Sequence, residues 1–288
     1  MKRTLLCFPL LLCCCAPVAQ RLGTGSAAPP VTRIATTLAT YSREITVGSI
    51  GIDRYGNIYI TDRSRQRMVS FKYPASAPAV AAQVRFEQPL DDPGSFLVTG
   101  YQDGCCLADN LGHQLVFYSY QGQRTGSLSI AGHNATAAAI DGSGDSYVLD
   151  GAARSVLVYD QRGTLIRQFA LAPEPAAPRF APAVLAVTRG ASLVAIGDAS
   201  AGVVQYYGTF GAYIGSSPLA ATTLAFDQYD RLWSLDKTGS ITAQSLRGAT
   251  GQPLWQDRQE LLGAAGVLTA GFGGGALIAA EGRLVGCR

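Results

Sequence analysis

One ten-residue frame returns along the chain in a single register. It reads D-R-Y-G-N-I-Y-I-T-D from Asp53 to Asp62, D-G-S-G-D-S-Y-V-L-D from Asp141 to Asp150, and D-Q-Y-D-R-L-W-S-L-D from Asp227 to Asp236. Each copy opens on an aspartate, passes through turn-forming residues, alternates in polarity and closes on a second aspartate. Shorter copies close at Asp109 ("DGCCLAD"), Asp198 ("RGASLVAIGD") and Glu281 ("GGGALIAAE"). The closing acids stand roughly 40 to 50 residues apart, a period at which each unit is one small sheet that buries its faces only against its neighbours.

The residues around each frame read as strands. A short apolar run precedes every copy ("SIGI", "FLVT", "AAAI", "VLAV", "TLAF", "GVLTAG"), and two further period-2 segments follow most of them, such as "MVSFK" and "AAQVRF" after Asp62 or "SVLVYD" and "LIRQFA" after Asp150. Alternation bounded by Gly, Asn, Asp and Pro is the strand signature, and no stretch carries a sustained helical period. With 33 Gly, 13 Tyr and only 15% charged residues, the composition suits a turn-rich all-β chain. Four strands in each of six units predict a six-bladed β-propeller of four-stranded antiparallel blades over residues 31–288. After Glu281 only "RLVGCR" remains, enough for one strand. The strand-like "VTRIATTLA" (31–39) is therefore expected to complete the last blade and hide its edges.

The recurring residues have turn chemistry. Gly56 and Asn57 stand where a hairpin calls for positive φ. Asp53, Asp62, Asp109, Asp141, Asp150, Asp198, Asp227 and Asp236 are expected to accept hydrogen bonds from neighbouring loop backbone. The pattern D-x-x-G-N-x-Y-I-x-D, followed by a short loop and a strand, resembles the NHL repeat of six-bladed propellers. Asp53, Gly56, Asn57, Tyr59 and Asp62 carry that resemblance in the first unit. Later units depart from it after the closing acid ("GAARS", "ASAGV", "KTGS"), so the resemblance implies the fold and not a ligand set.

The first residues read as an export signal: Lys2 and Arg3, the apolar run "TLLCFPLLL", then Cys13, Cys14 and Cys15. The segment resembles a bacterial lipoprotein signal, with residues 1–14 removed and Cys15 acylated, or Cys14 as second choice. Residues 15–30 then form a flexible tether. That resemblance implies a periplasmic or outer-membrane location, attachment by lipid alone and no other cofactor; a soluble secreted protein is the alternative. The mature chain keeps Cys105, Cys106 and Cys287, an odd number unsuited to a disulfide framework.

Chemistry is sparse. The chain has two histidines. His133 with Asp91 and Asp92 forms a weak candidate set for a divalent cation at the channel mouth. Arg43, Arg63, Arg65, Arg67, Arg154, Arg179 and Lys237 fall in loops expected to share one face, where arginines suit carboxylates or phosphates of a partner. The net charge of +3 predicts no general nucleic-acid affinity. The expectation is a non-catalytic scaffold docking to envelope proteins. A lactonase- or lyase-type propeller with an axial metal is the alternative, and a channel that binds a small sugar or peptide is the third reading.

Overall fold

The computed structural model describes residues 36–41, 44–72, 80–81, 83–101, 103–173, 179–247, 251–260, 266–270, 274–280 and 282–287, all within one compact unit spanning 31–288. The export segment 1–14, Cys14, Cys15, the tether 15–30, Arg43 and Glu281 lie outside the described residues.

Six sheets radiate in chain order, and every described residue in regular structure is β. The first blade comprises β2 (Val47–Ile52), β3 (Asn57–Asp62), β4 (Arg67–Lys72) and β6 (Val84–Pro89). The second comprises β7 (Phe96–Val98), β8 (Gly104–Asp109), β9 (Gln114–Ser119) and β10 (Arg124–Ser129). The third holds β11 (Ala137–Ile140), β12 (Ser146–Asp150), β13 (Ser155–Tyr159) and β14 (Leu165–Ala170). The fourth holds β15 (Val184–Val187), β16 (Leu193–Asp198), β17 (Val203–Gly208) and β18 (Tyr213–Ser217). The fifth holds β19 (Thr223–Phe226), β20 (Arg231–Leu235), β21 (Ser240–Arg247) and β22 (Gln252–Glu260). In the sixth, β23 (Val267–Ala270), β24 (Ala276–Ala280) and β25 (Arg283–Cys287) are joined by β1 (Thr36–Thr40), paired antiparallel to β25 with Thr36 opposite Gly286 and Thr40 opposite Arg283. Thr36–Thr40 thus closes the ring, as its strand-like sequence implies.

The core is divided among the blades. Six apolar clusters alternate with the six sheets around the ring: Tyr59, Met68, Leu97, Cys105 and Leu107 lie between the first and second blades, and Ile50, Ile58, Ile60, Leu277 and Leu284 between the sixth and first. Burying a Leu, Ile or Phe contributes about 1.5–3 kcal/mol, so the interblade clusters hold the wheel together. Second strands are buried throughout, while β6, β10 and β14 expose most of their residues along the rim. Adjacent Cys105 and Cys106 point to opposite faces of β8, the first into the cluster with Met68 and the second into the cluster between blades two and three. Among the described residues, Cys105, Cys106 and Cys287 are free and buried.

Local geometry explains the repeat and corrects one expectation. Gly56, Gly144, Ala191 and Asp230 have φ of 75°, 87°, 51° and 56°. Each donates its N–H, at 3.0–3.1 Å, to the carbonyl three residues earlier. Asn57 was expected at positive φ, but it is instead the first residue of β3 and lies outside the left-handed region. Its place in the frame is explained by its side chain: Asn57 Nδ2 donates to Asp53 Oδ2 at 2.7 Å. The fourth strand of blade one also lies further along than "AAQVRF" suggests, because Val80–Ala81 (β5) pairs parallel with β1 on the rim of the closing blade. In blade two Gly100 has φ 92°, and beside it Thr99 O accepts from Ile140 N of blade three at 2.8 Å.

Candidate functional site

Antiparallel order puts the loops after second strands, with those that lead into first strands, on one face. The hairpins between first and second and between third and fourth strands occupy the other. On the first face the closing aspartates organise their own loops. Asp62 Oδ1 accepts from Thr46 N at 3.1 Å, Ser64 N at 3.1 Å and Ser64 Oγ at 2.6 Å, while Oδ2 pairs with Arg67 Nε at 3.2 Å. Asp198 accepts from Ala181 N, Ser200 N, Ser200 Oγ and Ala201 N. Asp236 accepts from Thr238 and Ser240, and Asp109 from Gly112 N and Gln114 Nε2. Asp150 accepts from Ala153 N at 2.9 Å and pairs with His133 Nδ1 at 2.9 Å. Burial alone would raise the pKa of Asp62, Asp150 and Asp198, but the converging donors outweigh it and hold all three below the ordinary carboxylate value.

The opening aspartates sit beneath the other face and are all buried. Asp53 Oδ1 accepts from Tyr55 N and Asn57 N, and its Oδ2 from Asn57 Nδ2 and, at 2.8 Å, Tyr59 OH. Asp227 Oδ2 takes Arg231 Nε at 2.6 Å, Trp233 Nε1 at 3.0 Å and Gly275 N at 3.1 Å. Asp141 Oδ1 holds Ser143 N and Asp145 N, but its buried Oδ2 has only the Tyr147 hydroxyl beside it and lacks the side-chain donor four positions on. The reason is the residue four positions on: Asn57 and Arg231 are donors, whereas Asp145 is another carboxylate. Burial, with the charges of Asp141 and Asp160, pushes the pKa of Asp145 up.

The candidate metal set is dispersed into loop contacts. His133 is bound to Asp150, its carbonyl meets His113 Nδ1 at 3.0 Å, and buried Asp92 accepts from Gly94 N and Asn110 N. Asp91 is exposed. Among the described residues no group of three or more His, Cys, Asp or Glu is arranged to hold a metal ion. His113 itself, φ 47°, belongs to a series with Gln66, Arg154 and Gly202, each four residues past a closing acid and each at positive φ.

Of the candidate docking residues, Arg65 pairs with Glu44, Arg67 with Asp62 and Glu87, and Arg154 donates to the Phe180 carbonyl with its guanidinium 5.8 Å from that ring. Arg63, Arg179 and Lys237 are exposed. Arg63 borders the wide mouth of the channel, a cavity of about 600 Å³ walled by small residues from all six blades, among them Gly48, Ser95, Ala137, Ala183 and Thr222. The far end of the axis narrows to about 70 Å³ between Asp141, Arg189, Asp227 and Thr269. Tyr101, Phe117 and Gly126 border a separate interblade groove that sequence reading missed, because its walls come from distant hairpins.

No protein-family model matches the chain, and no curated protein matches it. Solved structures do. A streptogramin B lyase superposes with a TM-score of 0.57 at 10% identity, over 89% of this chain and 97% of that one. A catalytically inactive variant of virginiamycin B lyase from Staphylococcus aureus, with quinupristin, gives 0.56 at 12% identity, over 86% and 81%. A chain of a mitotic checkpoint complex gives 0.59 at 11% identity, over 93% and 98%. At these identities the similarity establishes the propeller fold and no activity.

Proposed function

We propose that this protein is a non-catalytic docking propeller of the bacterial cell envelope, of the NHL type, exported and held at a membrane by a lipid on Cys15 or Cys14. It meets a larger envelope assembly through the loop face bearing Arg63, Arg179 and Lys237. One observation carries the reading: the closing aspartates of that face are occupied by their own loop donors, while these cations are exposed. Charged groups already committed to turns hold a surface in shape, and exposed Arg and Lys are left to contact a partner. Purification from native membranes in mild detergent is expected to yield a complex that the combined Arg63→Glu, Arg179→Glu and Lys237→Glu variant loses. A solitary monomer released without detergent contradicts both docking and anchor.

A lyase- or lactonase-type enzyme is the second reading, favoured by the paired His133 and Asp150 on the loop face and by the lyases that share the fold. It requires stoichiometric divalent metal in the purified protein, lost on His133→Ala. Metal-free protein with unchanged stability in that variant favours docking.

A further inference from the structure

The hairpin face carries a groove of about 540 Å³ between blades two and three, within the range of roughly 300–1,000 Å³ typical of small-molecule sites. It lies opposite the loops discussed above and is independent of the docking reading. Tyr101 and Phe117, their ring centroids 5.3 Å apart and tilted by 53°, both line it. Thr125, Ser127, Ser143 and Gln161 line it too, with Gln161 Nε2 donating to Ser143 O. At one end Arg54 pairs with Asp103 and donates to Tyr55 OH at 3.0 Å. Tyr55 and Tyr120, 54% and 40% exposed with centroids 5.7 Å apart, extend the aromatic surface beyond that end.

Gly126 supplies an independent argument. Most glycines lining the groove are required by the backbone: Gly100, Gly144 and Gly163 have φ of 92°, 87° and 82°, and a methyl on Gly142 would meet Arg189 O at 2.6 Å. Gly126 has neither constraint. It sits inside β10, outside the left-handed region, and a methyl built on it meets nothing within 4 Å. A glycine inside a strand weakens it and marks either a bulge, such as the register shift between Arg124 and Gly126 here, or close approach by another molecule.

The charges nearly cancel: Arg54 is matched by Asp103, and Arg162 stands two residues from Asp160, whose carboxylate accepts its backbone N–H at 2.9 Å. Aromatic faces suit C–H surfaces. Arg, Asp and Gln side chains, with hydroxyls, both donate to and accept from hydroxyl groups. The geometry points to a binding site for a neutral oligosaccharide in the groove between blades two and three, with Tyr101 and Phe117 under a sugar ring and Gly126 leaving it room.

The test is calorimetric titration of the purified full-length protein with maltotetraose, cellotetraose and chitotetraose at millimolar concentrations. At least one is expected to bind. Gly126→Val and Tyr101→Ala should weaken that binding at least about tenfold while thermal denaturation shows a folded protein, and Phe210→Ala, on blade four, should leave it unchanged. If the valine variant fails to fold, Gly126→Ala with Tyr101→Ala carries the comparison. Two outcomes overturn the inference: none of the three sugars binds, or folded groove variants bind as well as the native protein.

Discussion

Replacing Asp145 with asparagine should stabilise the protein, and the repeat itself supplies the reasoning. Blades one, three and five share their register: Ile52 faces Ile58, Ile140 faces Ser146, and Phe226 faces Leu232. The residue preceding the second strand's partner is Asn57, Asp145 or Arg231, and in blades one and five it donates to the opening aspartate, at 2.7 and 2.6 Å. In blade three the buried Asp141 Oδ2 lacks the donor that this position supplies in the other two blades, and Asp145 adds repulsion. A hydrogen bond to a charged group contributes about 1.5–3 kcal/mol net. At roughly 2 kcal/mol, and about 2–4 °C per kcal/mol for a domain approaching this size, Asp145→Asn should raise Tm by about 4–8 °C at neutral pH. The assay is thermal and urea unfolding followed by circular dichroism. The folded-state pKa of Asp145 is raised, so the native protein gains relative stability as pH falls through that value and the asparagine advantage narrows in acid. The converse Asn57→Asp should lose a comparable amount in blade one. A Tm unchanged or lowered by Asp145→Asn refutes the equivalence of the three sites.

Arg231→Ala leaves Asp227 charged and buried against Trp233, and should cost about 3–5 kcal/mol in urea unfolding, because the lost partner exposes the full desolvation penalty. Asp62, Asp150 and Asp198 have lowered folded-state values, so their stabilisation is complete above the unfolded carboxylate pKa of about 3.9 and is lost as pH falls through the folded values. Urea unfolding between neutral pH and about pH 3 should therefore show an acid limb that Asp198→Asn makes shallower. Burial pushes the Cys287 thiol up to about 11 and raises Cys105 and Cys106 as well, so a thiol reagent should label none of the three in the native state at neutral pH and all three after unfolding.

The blade count was legible because the frame encodes both a turn and its lock: aspartate at the first position, a residue tolerant of positive φ at the fourth, and an aromatic at the seventh that donates back to the aspartate in blades one and five. Closure was legible because "RLVGCR" leaves a sheet one strand short. What escaped depended on contacts between units. Asn57 looks like a turn residue until its amide is seen on Asp53, and Val80–Ala81 looks like part of a fourth strand until β1 offers it an edge. The groove joins Arg54, Phe117 and Arg162, which no local period connects, and Gly126 differs from turn glycines only in the empty space beside it. The arginine-bearing loops could be placed on one face from strand order alone, but not their commitments: Arg65 to Glu44 and Arg154 to Phe180 are tertiary pairings.

Amide hydrogen exchange across the closing blade tests the ring most directly. Thr36–Thr40 pairs antiparallel with Arg283–Cys287, and the cluster of Ile50, Ile58, Leu277 and Leu284 joins that sheet to blade one. The hydrogen-bonded amides of β1 should therefore exchange as slowly as those of β24 and β25, and all should open together. Rapid exchange throughout β1 with β25 still protected contradicts a wheel closed by its two ends.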